Sequence, residues 1–236
     1  MNKRLFTLLV FAVTACLMSC KNKDLVPATP ATTTLNVVNA SPDTIKYYIN
    51  GTRQNENSNI FVGGQTGYLS VITGTQNYKF SNATGNFATL FTTQFTLDTS
   101  VNYSLFVAGT TPENAFLLVD PLTYASTLLT PDTLTNLLNP SAIRFVNASP
   151  DAGNLNVTVG VGDTVNFNNC KFGTQTSFVP FNAATKEVKV FTNNGTTLSI
   201  DTMLTFNSFQ VYTLFTKGTL NGKGSSLFSV TLTLTN

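Results

Sequence analysis

Acid–base chemistry in this chain would have to come from carboxylates. Histidine is absent, which removes the usual general base near neutral pH and the commonest transition-metal ligand. Glu56, Glu113 and Glu187 are the acids a hydrolase could recruit, but they fall in unmatched loops or strands with no recognisable partner spacing. The chain reads as non-enzymatic, with no catalytic residue, cofactor or metal expected.

Cysteine offers the other chemistry. Lys3 and Arg4 precede an almost wholly apolar run of 13 residues, Leu5 to Leu17, that ends in Leu17-Met18-Ser19-Cys20 and then polar Lys21-Asn22-Lys23-Asp24. A bilayer span needs about 20 apolar residues, so the run suits the core of a secretory signal instead. Ser19-Cys20 resembles the bacterial lipobox, which implies cleavage before Cys20 and acylation of its thiol. Several acyl chains on one residue would anchor stably. Val13-Thr14-Ala15-Cys16 fits the strict pattern better two residues before its cysteine, but it would leave Leu17-Met18 at the mature end. An ordinary cleaved signal is the third reading. Lys21, rather than Asp, follows Cys20; by resemblance to Gram-negative lipoproteins this implies the outer membrane, facing the periplasm or the exterior. Cys170 is then left alone, no intramolecular disulfide is possible, and it reads as a buried structural thiol.

Once Lys3 and Arg4 leave with the signal, 11 basic residues (13 − 2) face 11 acidic ones, and charged residues are only 10% of the chain. Thr, Asn and Ser supply the polarity. No basic stripe exists, which argues against nucleic acid.

The string Val-Asn-Ala-Ser-Pro-Asp occurs twice, at Val38–Asp43 and Val146–Asp151, 108 residues apart (147 − 39). Tyr103-Ser104-Leu105-Phe106 with Gly109-Thr110 recurs as Tyr212-Thr213-Leu214-Phe215 with Gly218-Thr219, at an offset of 109 (212 − 103). Kept order with a drifting offset is how a duplicated module with loop insertions behaves. Asn39, Ser41, Pro42, Asp43 and Asn147, Ser149, Pro150, Asp151 read as a turn motif: Asn and Ser bond nearby backbone, Pro presets φ, and Asp accepts from following amides. A Ca²⁺ site on the Asn and Asp oxygens is the sharper alternative, but six to eight oxygens are needed and too few acids are local. Gly160-Val161-Gly162 leads from strand to strand, not into a phosphate-binding helix. Asp-Thr followed by an apolar residue, at Asp43, Asp132, Asp163 and Asp201, resembles an O-glycosylation acceptor of Bacteroidetes-type bacteria; chance and turn chemistry in a Thr-rich chain are the favoured explanation.

Strands must carry these residues. Apolar positions alternate with period two over 35–40, 45–50, 67–72, 77–81, 86–91, 102–108 and 115–119, and again in the second copy. Asn50-Gly51 signals a type I′ hairpin, whose two central residues need φ > 0. The expected cores are Phe80, Phe87, Phe91, Leu105 and Val107 in one copy, and Val190, Leu204, Phe206, Leu214 and Phe228 in the other. Thr130 to Leu138, with Pro131 at a first helical position, predicts a helical turn or two between the copies. The expectation is all-β: two tandem antiparallel immunoglobulin-like β-sandwich domains with a short helical linker. The boundaries are signal 1–19, tether 20–34, repeat 35–122, linker 123–140 and repeat 141–236.

Arg144-Phe145-Val146-Asn147-Ala148-Ser149-Pro150-Asp151 resembles the opening of a bacterial extracytoplasmic domain-of-unknown-function family, number 4397. Val37–Asp43 is its degenerate sister, without the Arg-Phe start. The resemblance implies β-sandwich modules, often in tandem behind a lipoprotein signal, and no activity. The expected role is therefore binding or surface display by a lipid-anchored envelope protein. Its partners would be the membrane through the anchor, and another envelope protein or a glycan. A carbohydrate- or peptide-capturing lipoprotein of an uptake system is the alternative, and it predicts exposed aromatics at one end of a sandwich.

Overall fold

The computed structural model describes residues 29–54, 58–120 and 137–235. From Ala31 onward the chain forms one compact unit. Sixteen strands lie among the described residues, eight in each copy. The first eight are β1 (Thr32–Asn39), β2 (Ile45–Ile49), β3 (Thr52–Arg53), β4 (Gln65–Ile72), β5 (Gly74–Asn82), β6 (Thr89–Leu97), β7 (Asn102–Val107) and β8 (Ala115–Asp120). The second eight are β9 (Pro140–Val146), β10 (Leu155–Val159), β11 (Val165–Cys170), β12 (Val179–Asn182), β13 (Thr185–Thr192), β14 (Thr197–Thr205), β15 (Val211–Lys217) and β16 (Ser229–Leu234).

The duplication is complete at the level of topology. The first copy has sheets ordered β4-β1-β7-β8 and β3-β2-β5-β6; the second has β12-β9-β15-β16 and β11-β10-β13-β14. Adding eight to every label converts one copy into the other. Between each pair of sheets lies an oily interior. Leu35, Val37, Tyr47, Phe80, Leu105 and Val107 are fully buried in the first copy, as are Ile143, Phe145, Val188, Val190 and Leu214 in the second.

Two features depart from the expected immunoglobulin-like, wholly antiparallel arrangement. The opening strand of each copy lies inside its sheet, antiparallel to β4 or β12 on one side and parallel to β7 or β15 on the other. An immunoglobulin sandwich pairs its first strand with its second; here β1 and β2 belong to different sheets. The reason is the corner at Asn39–Asp43, which carries the chain across the interior from one sheet to the other. Burial fits this central placement: β1 and β9 are buried on both faces along most of their length.

Other corrections are local. Phe87 is 60% exposed with φ +53°, and the sixth strand starts at Thr89, not at 86. Leu204 is only partly buried against its core. Residues 137–139 are not helical, and the rest of the expected helical turn lies outside the described residues, as does Glu56. The Asn50-Gly51 hairpin forms as expected: φ is +49° and +84°, with Ile49 paired to Thr52.

Candidate functional site

The twin corners use asparagine for a reason. Asn39 Nδ2 donates to the carbonyls of Asp43 (2.7 Å) and Ile60 (2.9 Å), while its Oδ1 accepts from the Ser41 amide (3.0 Å). Asn147 repeats this with Gly153 (2.9 Å), Cys170 (3.0 Å) and the Ser149 amide (3.1 Å). Both asparagines are fully buried. Only a side chain with both a donor and an acceptor closes such a corner. The main-chain carbonyls of Asn39 and Asn147 also accept from Gly63 (2.7 Å) and Gly173 (3.0 Å). The amide groups of both asparagines are thus committed to the fold. The motif's carboxylates point elsewhere: Asp43 accepts from Asn82 (3.2 Å), and Asp151 from the Leu220 amide (3.1 Å). Among the described residues no three His, Cys, Asp or Glu side chains gather as a metal cluster would require.

The two copies meet face to face. The outer side of the sheet holding β1 and β7 packs on the outer side of the sheet holding β9 and β15. Val38, Ala40, Phe106, Ala108 and Leu118 bury against Val146, Ala148 and Phe215. Phe106 and Phe215 occupy the same place in their respective copies and meet edge to face at 5.4 Å. Contacts exchange when the copies are swapped. Gly63 lies against Thr231 of the second copy, and Gly173 lies against Phe116 of the first. This is the isologous pattern of a twofold dimer, here within one chain.

Sequence divergence breaks that symmetry at a buried polar cluster. Arg144 and Asp120 are each 1% exposed and pair at 2.6 Å across the seam. Arg144 Nε donates to Thr213 (2.8 Å), Nη1 donates to Gln175, and the guanidinium lies 4.9 Å from the Phe178 ring centre. The second oxygen of Asp120 accepts from Tyr68 (2.7 Å) and Ser104 (2.5 Å). Burial, and then the neighbouring Asp120 carboxylate, hold the Tyr68 hydroxyl well above its ordinary pKa. The position equivalent to Arg144 is Asn36, which bonds Gln65 within its own copy (2.7 Å). The position equivalent to Asp120 is Thr235, which bonds Thr213 (2.6 Å) just as Asp120 bonds Ser104. The seam was missed in the sequence, although the unmatched Arg144 in an otherwise repeated string was its signal.

A small cleft of about 160 Å³ opens where the paired turns converge. Pro42 and Pro150 from the two hexapeptides line it with Gly109-Thr110 and Gly218-Thr219 from the second repeated string, together with Asn114 and Ser226. Backbone leaves no room for a side chain at Gly218, and Gly109 packs against the Asn114 side chain. A Cβ on Gly109 would stand 2.6 Å from the Asn114 amide nitrogen, and one on Gly218 would stand 2.4 Å from the Leu227 carbonyl oxygen. Both repeated motifs therefore converge on one place, which sequence spacing alone could not show.

The remaining candidates are dispersed. Glu113 is exposed in a single 3₁₀ turn (Pro112–Asn114), and its pKa is lowered by its own backbone amide and by the Thr111 hydroxyl. Glu187 pairs with Lys189 at 2.7 Å on β13. Cys170 is buried among Leu155, Val157 and Phe167, and burial pushes its thiol up to about 11. Asp163 meets Lys186 at 3.5 Å in the Gly160–Gly162 loop, between β10 and β11. Asp132 and Cys20 lie outside the described residues.

Comparison with known proteins gives a family but no activity. No curated protein sequence matches the chain. Among solved structures, a carbohydrate-binding module (CBMbc, family CBM26) from Eubacterium rectale Amy13K in complex with maltoheptaose aligns at 12% identity and a TM-score of 0.25, covering 86% of this chain and 98% of that one. A "putative cell adhesion protein" from Bacteroides eggerthii aligns at 9% identity and a TM-score of 0.24, covering 89% and 96%. Likenesses this weak support no functional reading. Taken with two topologically identical copies, each opened by the same asparagine corner, the match of one family model to residues 33–127 and again to 141–233 means that the chain belongs to the family described as Domain of unknown function (DUF4397).

Proposed function

We propose that the protein is a non-enzymatic, lipid-anchored envelope protein that presents its two sandwiches as one rigid block for binding or display. The observation that carries this is the seam. Two modules joined by a flexible linker would reorient freely, whereas here apolar side chains from both copies and an ion pair 1% exposed on each side fuse them. A fixed block with paired turns at one end suits a surface that must keep its shape while holding a partner. Among the described residues the acids a hydrolase would use do not converge: Glu113 stands alone in its turn and Glu187 is tied to Lys189. Anchoring rests on the Ser19-Cys20 signal and the polar stretch after it. Outer-membrane placement rests on Lys21.

The test is to express the full chain in a Gram-negative host with an alkyne-bearing fatty acid. Label should enter the wild type and Cys16→Ala but not Cys20→Ala, and mass spectrometry should find an acylated Cys20 as the mature N-terminus. An unacylated mature end elsewhere would sink the anchoring reading. Capture of a glycan, rather than of a protein, would favour the uptake alternative. Phe61 and Phe87, 68% and 60% exposed beside the first corner, are the observation in its favour.

A further inference from the structure

The cleft between the two hexapeptide corners combines apolar walls with open, uncharged polar groups. Thr110, Asn114, Thr219 and Ser226 have side chains with no bonding partner among the described residues, in a chain whose Thr, Asn and Ser are elsewhere heavily cross-bonded. The Ser149 hydroxyl, immediately before the lining Pro150, is fully buried and also has no hydrogen-bond partner among the described residues. Pro42 and Pro150 add two flat apolar surfaces from opposite copies. Clefts between packed modules, mostly apolar with a few fixed polar groups, are where small ligands bind.

Two exposed aromatics flank the first corner, Asn39–Asp43, whose Pro42 lines the cleft. Phe61 follows Ile60, whose carbonyl is held by Asn39, and comes two residues before Gly63, which touches the second copy. Phe87 sits in the loop tied to Asp43 through Asn82 (3.2 Å). Phe87 also occupies a left-handed backbone conformation, φ +53°, that a bulky side chain rarely adopts.

We propose that this cleft receives one ring of a neutral, hydroxyl-bearing glycan, with Phe61 and Phe87 lying along the rest of the saccharide. The proposal deepens the binding reading above and rests on it. Neutral hydroxyl and amide groups suit sugar hydroxyls, which both donate and accept. No cation lines the cleft to take a phosphate, sulfate or carboxylate, and the lining prolines are each followed by an aspartate, Asp43 and Asp151. An extended peptide would need a free row of backbone donors, which two prolines and two closed turns do not give. A volume of about 160 Å³ admits one ring, not a whole chain.

The test is calorimetric titration of the mature full chain with malto-, cello-, xylo- and manno-oligosaccharides, and with oligogalacturonate as an anionic counterpart. At least one neutral probe should bind. Its Kd should rise about ten-fold in Asn114→Ala and in Phe61→Ala, equivalent to about 1.4 kcal/mol, with the melting temperature unchanged. Lys189→Ala, on a distant face, should bind as wild type. Absence of binding by every neutral probe at about 5 mM, a Kd beyond the millimolar range, overturns the proposal. So does binding indifferent to both variants, or preference for the anionic probe. Each of those failures leaves acylation at Cys20 untouched, so loss of this site is distinguishable from loss of the anchoring reading.

Discussion

Asn147 cannot be exchanged for aspartate without setting an acceptor against the carbonyls of Gly153 and Cys170. A buried group left unsatisfied costs about 1–3 kcal/mol. Asn147→Ala and Asn39→Ala should each lose about 2–4 kcal/mol in urea unfolding, and Asn147→Asp should be at least as damaging near neutral pH. Equal stability of the aspartate variant would show that the corner is not closed by the amide. The hexapeptide was legible as a turn because its residue types are turn formers. Its partners, Ile60 and Cys170, lie about 20 residues downstream, and nothing in the local string names them. Cys170 gives a second test. Its thiol is raised from about 9 to about 11 by burial, and Tyr47 from about 10 to about 12. Both groups hold their protons more tightly when folded, so their stabilising contribution is complete below the unfolded values and is lost as pH rises towards the folded ones. Stability should fall between about pH 9 and pH 12, and Cys170→Ser should flatten the lower part of that fall. A thiol reagent at pH 8 should label Cys170 only after unfolding.

Elements were easier to find than to connect. Alternation located seven strands of the first copy, because each has one face on an interior. It misplaced β6 by three residues because Phe87 was counted as an alternating core position. Phe87 sits instead on the turn before the strand, its ring 4.4 Å from the Lys46 ammonium. Pairing was illegible for a different reason. A parallel neighbour for β1 depends on which sheet the chain enters after the corner, and period two carries no information about that. The same limit hid Phe209, which caps the turn before β15 at φ +59° while 67% exposed. Left-handed backbone costs a bulky residue about 1–2 kcal/mol, and glycine avoids it. Phe209→Gly should therefore raise stability by about 1 kcal/mol, less the entropy glycine brings to the unfolded chain. Chemical denaturation measures this; a clear loss would mean that the exposed ring makes contacts worth more than its strain.

At the scale of the whole molecule, the seam decides whether the chain is two modules or one. The duplicated faces would accept a second copy of themselves, since Val38, Ala40 and Phe106 have the same character as Val146, Ala148 and Phe215. The charges remove that degeneracy. A pairing of two first copies would bury Asp120 opposite Asn36 with no cation, and a pairing of two second copies would bury Arg144 opposite Thr235 with no anion. An unpaired buried charge costs far more than a matched pair gains, so the ion pair serves orientation and partner choice more than net stability. Removing one partner should cost about 3–5 kcal/mol. Asp120→Asn and Arg144→Gln should each destabilise by that order, and the double variant by much less than their sum, because neither charge then remains alone. A double-mutant cycle on the full chain, read by urea denaturation, checks this. Additive losses would mean that the two groups do not face each other. A protease site engineered within 121–136 extends the same argument. After cleavage the wild-type halves should co-elute as one 1:1 species, while Asp120→Asn and Arg144→Gln should let them separate or self-associate. That result would tie one ion pair, invisible to any reading that treats the copies as equivalent, to the shape of the entire surface offered to a partner.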